Sequence, residues 1–146
     1  MVISIEKIVM IDTYFLDTNV IIEAFSSNHY KVNIAKKLLN QHPTISTQVI
    51  NEFISVCLKK LKINRQDTYF LANELLTHCK VMPVDSNTVR QAMIISQRYN
   101  YSHWDCLIIA TALQSGCSIL YSEDMQNEQL IGNLKIINPF QNKENF

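Results

Sequence analysis

The sequence predicts an α/β domain whose mostly parallel sheet is covered by helices on both faces. Short apolar runs alternate with stretches of helical period, the pattern of strands joined by helical crossovers. Hydrophobic residues make up 47% of the chain and only two residues are glycine, so one compact, helix-rich core is expected rather than disorder. Acidic residues recur where apolar runs end or helices begin.

Val2-Ile3-Ser4-Ile5 alternates like a strand, yet the organised pattern starts later. Residues 1–9 are therefore expected to be an N-terminal extension or edge strand, with Met10 a candidate start and 10–140 the folded domain. Tyr14 to Leu16 reads as the end of a buried strand and Val20 to Ser26 as a short helix, so Asp17, Thr18 and Asn19 fall in the turn between them. Ligands of open α/β sheets sit outside the carboxyl ends of strands. The same residue types also serve as helix caps. After a break at Asn28-His29, Val32 to Leu39 is helical, and together the two helices form a crossover.

Pro43 introduces a short strand, Thr44 to Ser46, and suits its first position. Ser46 or Thr47 then caps a helix from Gln48 to Leu61, in which Val49, Ile50, Phe53, Val56, Cys57 and Leu61 recur at helical spacing. Glu52 lies beside this stripe. An unpaired carboxylate near a core is costly, so Glu52 caps the helix, pairs with a lysine or serves a site. Asn64 to Gln66 is a break, and the helix Asp67 to Cys79 is expected to turn Phe70, Leu71, Leu75 and Leu76 inward.

Val81 to Val84 reads as a strand and Asp85 or Ser86 as the cap of a helix running to Arg98. The cap explains Asp85 best, because Ser86, Asn87 and Thr88 make an ordinary helix start. Tyr101 to Leu113 begins a helix that is apolar almost all round, with Asp105 in its first turn. Ser102 and Asp105 match an S-x-x-D capping box, while an acid on a buried helix is also held rigidly, as a metal site requires. Gly116 closes this helix as a C-cap, and Cys117 to Tyr121 is the next strand, followed at once by Ser122-Glu123-Asp124. Leu134 to Ile137 is a last short strand, and the chain ends in a polar tail, 141–146.

Thirteen basic residues balance thirteen acidic ones, so no global positive charge advertises nucleic-acid binding. Local basic clusters remain at Lys36-Lys37, at Lys59, Lys60 and Lys62, and at Arg90 with Arg98. Cys57, Cys79, Cys106 and Cys117 lack C-x-x-C spacing and sit among apolar neighbours, as small core residues do. The four histidines show no H-x-x-x-H pairing, which argues against zinc. No run approaches the ~20 apolar residues of a membrane span, and no cleavage site follows the opening residues, so a cytoplasmic location is expected.

Asp17, Glu52, Asp105 and either Asp124 or Glu123 each lie at a strand end or helix start, and in a parallel sheet those ends share one edge. If these carboxylates converge, their repulsion needs a counter-charge, and a divalent cation is the natural one. Oxygen ligands without His or Cys favour Mg²⁺ or Mn²⁺, and such a site suits phosphodiester hydrolysis.

Phe15-Leu16-Asp17-Thr18-Asn19, Ser46 with Glu52-Phe53, Trp104-Asp105 at the head of an Ala-containing apolar helix, and Tyr121-Ser122-Glu123-Asp124 resemble, in that order, the four acidic motifs of PIN-domain ribonucleases. Within that family the chain is similar to VapC-like toxins of type II toxin–antitoxin modules, over about Thr13 to Phe140. The resemblance implies a three-layer α/β/α sandwich and a Mg²⁺-dependent endoribonuclease. Asp17 and Asp105 would bind Mg²⁺, with Mn²⁺ a possible substitute, and Glu52 and Asp124 would complete the acidic cluster. Asp124 matches the fourth acid better than Glu123. Thr18, Asn19 and Ser122 would orient carboxylates. It further implies an RNA substrate, a homodimer and a cognate antitoxin that inhibits the site. The neutral net charge and the residues before Met10 depart from the pattern.

Two other function classes compete. A catalytically silent PIN-like module would bind a protein or RNA partner without needing its acids. A small-molecule phosphohydrolase of the aspartyl-nucleophile type would want D-x-D-x-T after the first strand, where Asp17 is followed by Thr18-Asn19. A receiver domain would want a lysine near its last strand, and none follows Tyr121 closely.

Overall fold

A computed structural model describes residues 13–141; the expectations for 1–9 and for the tail beyond 141 fall outside them. The elements run β1 (Tyr14–Leu16), α1 (Thr18–Ile22) with a 3-10 turn at Glu23–Phe25, α2 (His29–Leu39), β2 (Thr44–Ser46), α3 (Thr47–Lys59) and α4 (Arg65–His78), then β3 (Lys80–Met82), α5 (Ser86–Arg98), α6 (His103–Gln114), β4 (Ile119–Tyr121), β5 (Leu130–Ile131) and β6 (Leu134–Ile137).

The six strands form one sheet in the order β3-β2-β1-β4-β6-β5, parallel throughout except for β5, which runs antiparallel to β6 at the edge. From β1 the chain moves outward through β2 to β3, then returns across the sheet to β4. Right-handed crossovers moving in opposite directions put their helices on opposite faces, so α1 to α4 cover one face and α5 with α6 the other. The reversal of direction falls between β1 and β4, and this is where open α/β sheets leave a crevice. Register makes the crevice sharp. Leu16 pairs with Tyr121 and Tyr121 with Ile137, so adjacent strands end level. The ladder runs one residue further, Asp17 N–H to Tyr121 O and Ser122 N–H to Ile137 O, both 3.0 Å.

The core lies on both faces of the sheet. Cys106 to Ala112 of α6 are all buried on one, and Val20, Ile21, Val49, Phe53 and Cys57 of α1 and α3 are fully buried on the other. Phe15, Leu16, Ile45, Leu120 and Ile136 of the strands, also fully buried, lie between them. Each large side chain so buried contributes about 1.5–3 kcal/mol. Cys57, Cys106 and Cys117 are buried and Cys79 half-buried, all as free thiols.

Three expectations need correction. On α4 the inward residues are Thr68 and Ala72, flanked by half-buried Leu71 and Leu75, whereas Phe70 and Leu76 are exposed. Phe70 stands two positions from Ala72, roughly 200° round the helix, and so points away from it. Leu61 is also exposed, because α3 ends at Lys59 and no helical face carries it inward. The third is β5, which the sequence pattern did not announce.

Candidate active site

Asp17 ends β1 and caps α1, with φ −71° and ψ 155°. Its Oδ1 accepts from the Thr18 N–H at 2.7 Å, and its Oδ2 accepts from Ser122 Oγ at 2.9 Å and Asn19 Nδ2 at 3.3 Å. The residue that caps α1 thus also accepts bonds from Asn19 and, across the sheet, from Ser122. With 5% of its surface exposed, Asp17 is a buried carboxyl, and burial pushes its pKa up from 3.8 to about 7. The bonds from Ser122 and Thr18 oppose that rise, while the charges of Asp105 and Glu52 add to it.

Asn19 ties the two strand ends together. Its Nδ2 also reaches Ser122 Oγ at 3.4 Å, and its Oδ1 accepts from the Glu123 N–H at 3.0 Å. Ser122, completely buried, in turn accepts from the Asp124 N–H at 3.3 Å. One serine hydroxyl therefore links the turn after β1 to the turn after β4. Thr18 Oγ1 is buried beside them without a hydrogen-bond partner.

Glu52 comes from α3, whose start is fixed by Ser46 Oγ accepting from the Val49 N–H at 3.2 Å. Glu52 Oε1 accepts from Gln48 Nε2 at 2.7 Å, one turn earlier, and the same amide donates to the Trp104 carbonyl at 3.1 Å. Gln48 is thus a strap between the heads of α3 and α6. Asp105 is set by the cap of α6, where its N–H donates to Ser102 Oγ at 3.1 Å. Burial raises the Asp105 pKa, Asp124 raises it further, and the Ser102 hydroxyl opposes both.

Asp17, Glu52, Asp105 and Asp124 all line one cleft of about 360 Å³, together with Thr18, Asn19, Glu23 and Lys60. Glu123 turns away and pairs with Lys31, which also lies 5.4 Å from the Phe140 ring centroid. Asp85 lies outside the cleft and forms a reciprocal capping box with Thr88. Glu23, Lys60 and Gln48 are the cleft or support residues that sequence reasoning did not single out for the site. The only signals were the Lys59-Lys60-Lys62 cluster and the four-residue spacing of Gln48 from Glu52. Among the described residues no three His, Cys, Asp or Glu side chains are gathered closely enough to grip a metal ion unaided.

A model of the PIN domain matches residues 14–129. The chain belongs to the PIN-domain family. No curated protein sequence is detectably similar to this PIN domain, but solved structures share its fold. A toxin–antitoxin complex from Klebsiella pneumoniae superposes with a TM-score of 0.67 at 17% identity, covering 88% of this chain and 98% of that one. The Mycobacterium tuberculosis toxin VapC20, described as cleaving the sarcin–ricin loop, gives 0.62 at 21% identity, covering 77% and 90%. VapBC2 from Rickettsia felis, bound to a promoter DNA fragment, gives 0.63 at 17% identity, covering 85% and 96%.

Proposed function

We propose that this PIN domain is a Mg²⁺-dependent endoribonuclease, with Mn²⁺ able to substitute, and the toxin of a type II toxin–antitoxin pair acting in the cytoplasm. The observation that carries the reading is the single cleft shared by Asp17, Glu52, Asp105 and Asp124, with Asp17 buried against its own ionisation. A buried acid at this cost wants a cation, and the cleft offers oxygen donors with neither His nor Cys. The buried Thr18 Oγ1 without a partner also fits a hydrated ion nearby. Mg²⁺ is commonly held by one or two carboxylates plus waters and substrate phosphate, so it needs no closed protein cage.

Asp17 and Asp105 would hold the ion, with Glu52 and Asp124 completing its negative surroundings. Bound there, it supplies polarisation of a phosphoryl oxygen and a water of lowered pKa. The Thr18, Asn19 and Ser122 bonds fix the Asp17 oxygens, so little rearrangement accompanies reaction. Lys60 gives the cleft its cationic side chain for a phosphate. Tyr69 and Phe70 on α4 and Val89, Met93 and Ile94 on α5 leave apolar surface for partner chains, here a second copy and an antitoxin.

The lack of a gathered ligand trio favours one rival, a silent PIN-like binding module. Purified protein incubated with a pool of structured and single-stranded RNA, in Mg²⁺, Mn²⁺ or EDTA and beside Asp105→Asn, separates the two. Cleavage requiring both metal and Asp105 supports the nuclease. An inert wild type that folds but binds neither ion, with Asp105→Asn behaving identically, supports the module.

A further inference from the structure

Beside the acidic cleft lies a larger groove of about 640 Å³ that the reading above leaves unused. One wall is a face of α3, with Gln48, Asn51 and Ser55 spaced one turn apart. The other is the head of α6, with Trp104 and Leu107. Glu52 lines both spaces, so the groove continues directly from the cleft. Trp104 is 66% exposed although it immediately precedes Asp105, and the His103 ring stands edge-on to it at 5.9 Å. Its backbone is held by the Gln48 strap.

Among the described residues, Glu52 is the only charged one lining the groove. With no lysine or arginine among its described lining residues, the groove has nothing to attract a phosphate, whereas Lys60 lines the cleft next door. An aromatic face flanked by side-chain amides and a hydroxyl is the equipment for an unpaired base, which stacks on the ring and offers its edge to donors and acceptors. We infer that Trp104 is a stacking platform for a nucleobase of single-stranded RNA next to the scissile phosphate, with Asn51 and Ser55 facing the base edge. The inference rests on the nuclease reading for its substrate but not for its binding assay.

Trp104 is the chain's only tryptophan, so its emission reports on this groove alone. A short single-stranded RNA, an abasic strand of equal length and an amphipathic Leu/Lys peptide would each be titrated in Mg²⁺, with cleavage followed on the same samples. The RNA should quench Trp104 emission and the abasic strand should not. Trp104→Ala should raise KM roughly tenfold, about 1.4 kcal/mol, within the range of base–aromatic stacking. Its kcat should hold within about threefold, and Trp104→Phe should recover most of the loss. A wild type that cleaves RNA without quenching, or an alanine variant of unchanged KM, overturns the inference and leaves the nuclease standing. Equal quenching by the abasic strand overturns it in favour of a phosphate site, and a response to the peptide alone in favour of a protein-docking groove. Base-dependent quenching without cleavage in any metal supports the platform and instead removes the nuclease.

Discussion

Removing the charge of Asp17 should make the metal-free protein more stable above neutral pH and slightly less stable in acid. The folded-state pKa of about 7 stands above the ordinary value of 3.8. Below about pH 3.8 both folded and unfolded chains carry the proton. Between there and about pH 7 only the folded chain keeps it, so the unfolded state binds fewer protons and stability falls as pH rises. At about 1.36 kcal/mol per pH unit, the interval amounts to ~4 kcal/mol by pH 8.

Asp17→Asn lacks this titration but loses a hydrogen bond. If its Oδ1 keeps the Thr18 N–H, its amide nitrogen faces the Asn19 amide nitrogen, and Asn19 cannot flip because its Oδ1 receives the Glu123 N–H. One lost bond costs about 1 kcal/mol. The variant should therefore gain ~3 kcal/mol at pH 8.5 and lose ~1 kcal/mol near pH 4. Urea unfolding in EDTA at pH 4, 6 and 8.5 measures this, as a midpoint shift of roughly 1–3 M at the alkaline end. A constant offset between wild type and variant across that range refutes the claim that Asp17 is destabilised by burial. Adding Mg²⁺ at about a hundred times its Kd should return ~2.7 kcal/mol to the wild type and less to the variant.

Ser122→Ala removes the hydroxyl shared by Asp17, Asn19 and the Asp124 N–H. RNA cleavage should drop roughly 10- to 100-fold while the circular dichroism spectrum is retained. Asp85→Asn, by contrast, should cleave RNA at the wild-type rate in the same assay and melt at the same temperature, since Asn caps a helix as well as Asp. In the core, Ile109→Ala should cost about 2–5 kcal/mol in urea unfolding, because fully buried Ile109 leaves a cavity that α6 cannot close.

The fold was legible wherever burial is one-sided or complete. Phe15-Leu16 and Leu120 sit in short apolar runs, and Cys106 to Ala112 is apolar on nearly every face, so their elements follow from the residues alone. The acids were legible as candidates because each directly follows such a run or opens a helix. Gathering them into one cleft depends on β4 pairing with β1, and no local pattern encodes that long-range choice. Side-chain direction was also hidden. Phe70 and Trp104 are apolar by type yet exposed, the first on the outer face of α4, the second two residues ahead of the buried part of α6. Two-residue β5 pairs with β6 through its backbone and buries only Ile131, too little for a period to show. Lys60 reaches the cleft because α3 carries its last turn there, which spacing along the chain does not reveal.

The serine that holds Asp17 lies 105 residues downstream of it. At about 5–20 residues per second of translation, roughly 5 to 20 s separate their synthesis. Throughout that interval the nascent Asp17 is an ordinary hydrated carboxylate, because the strand that buries it has not been made. Its raised pKa, and any affinity for a cation that follows from it, appear only as β4 slots between β1 and β6. Incomplete chains stopping before Ser122 would thus be born without the site, so the ribosome delivers it in one late step rather than by degrees.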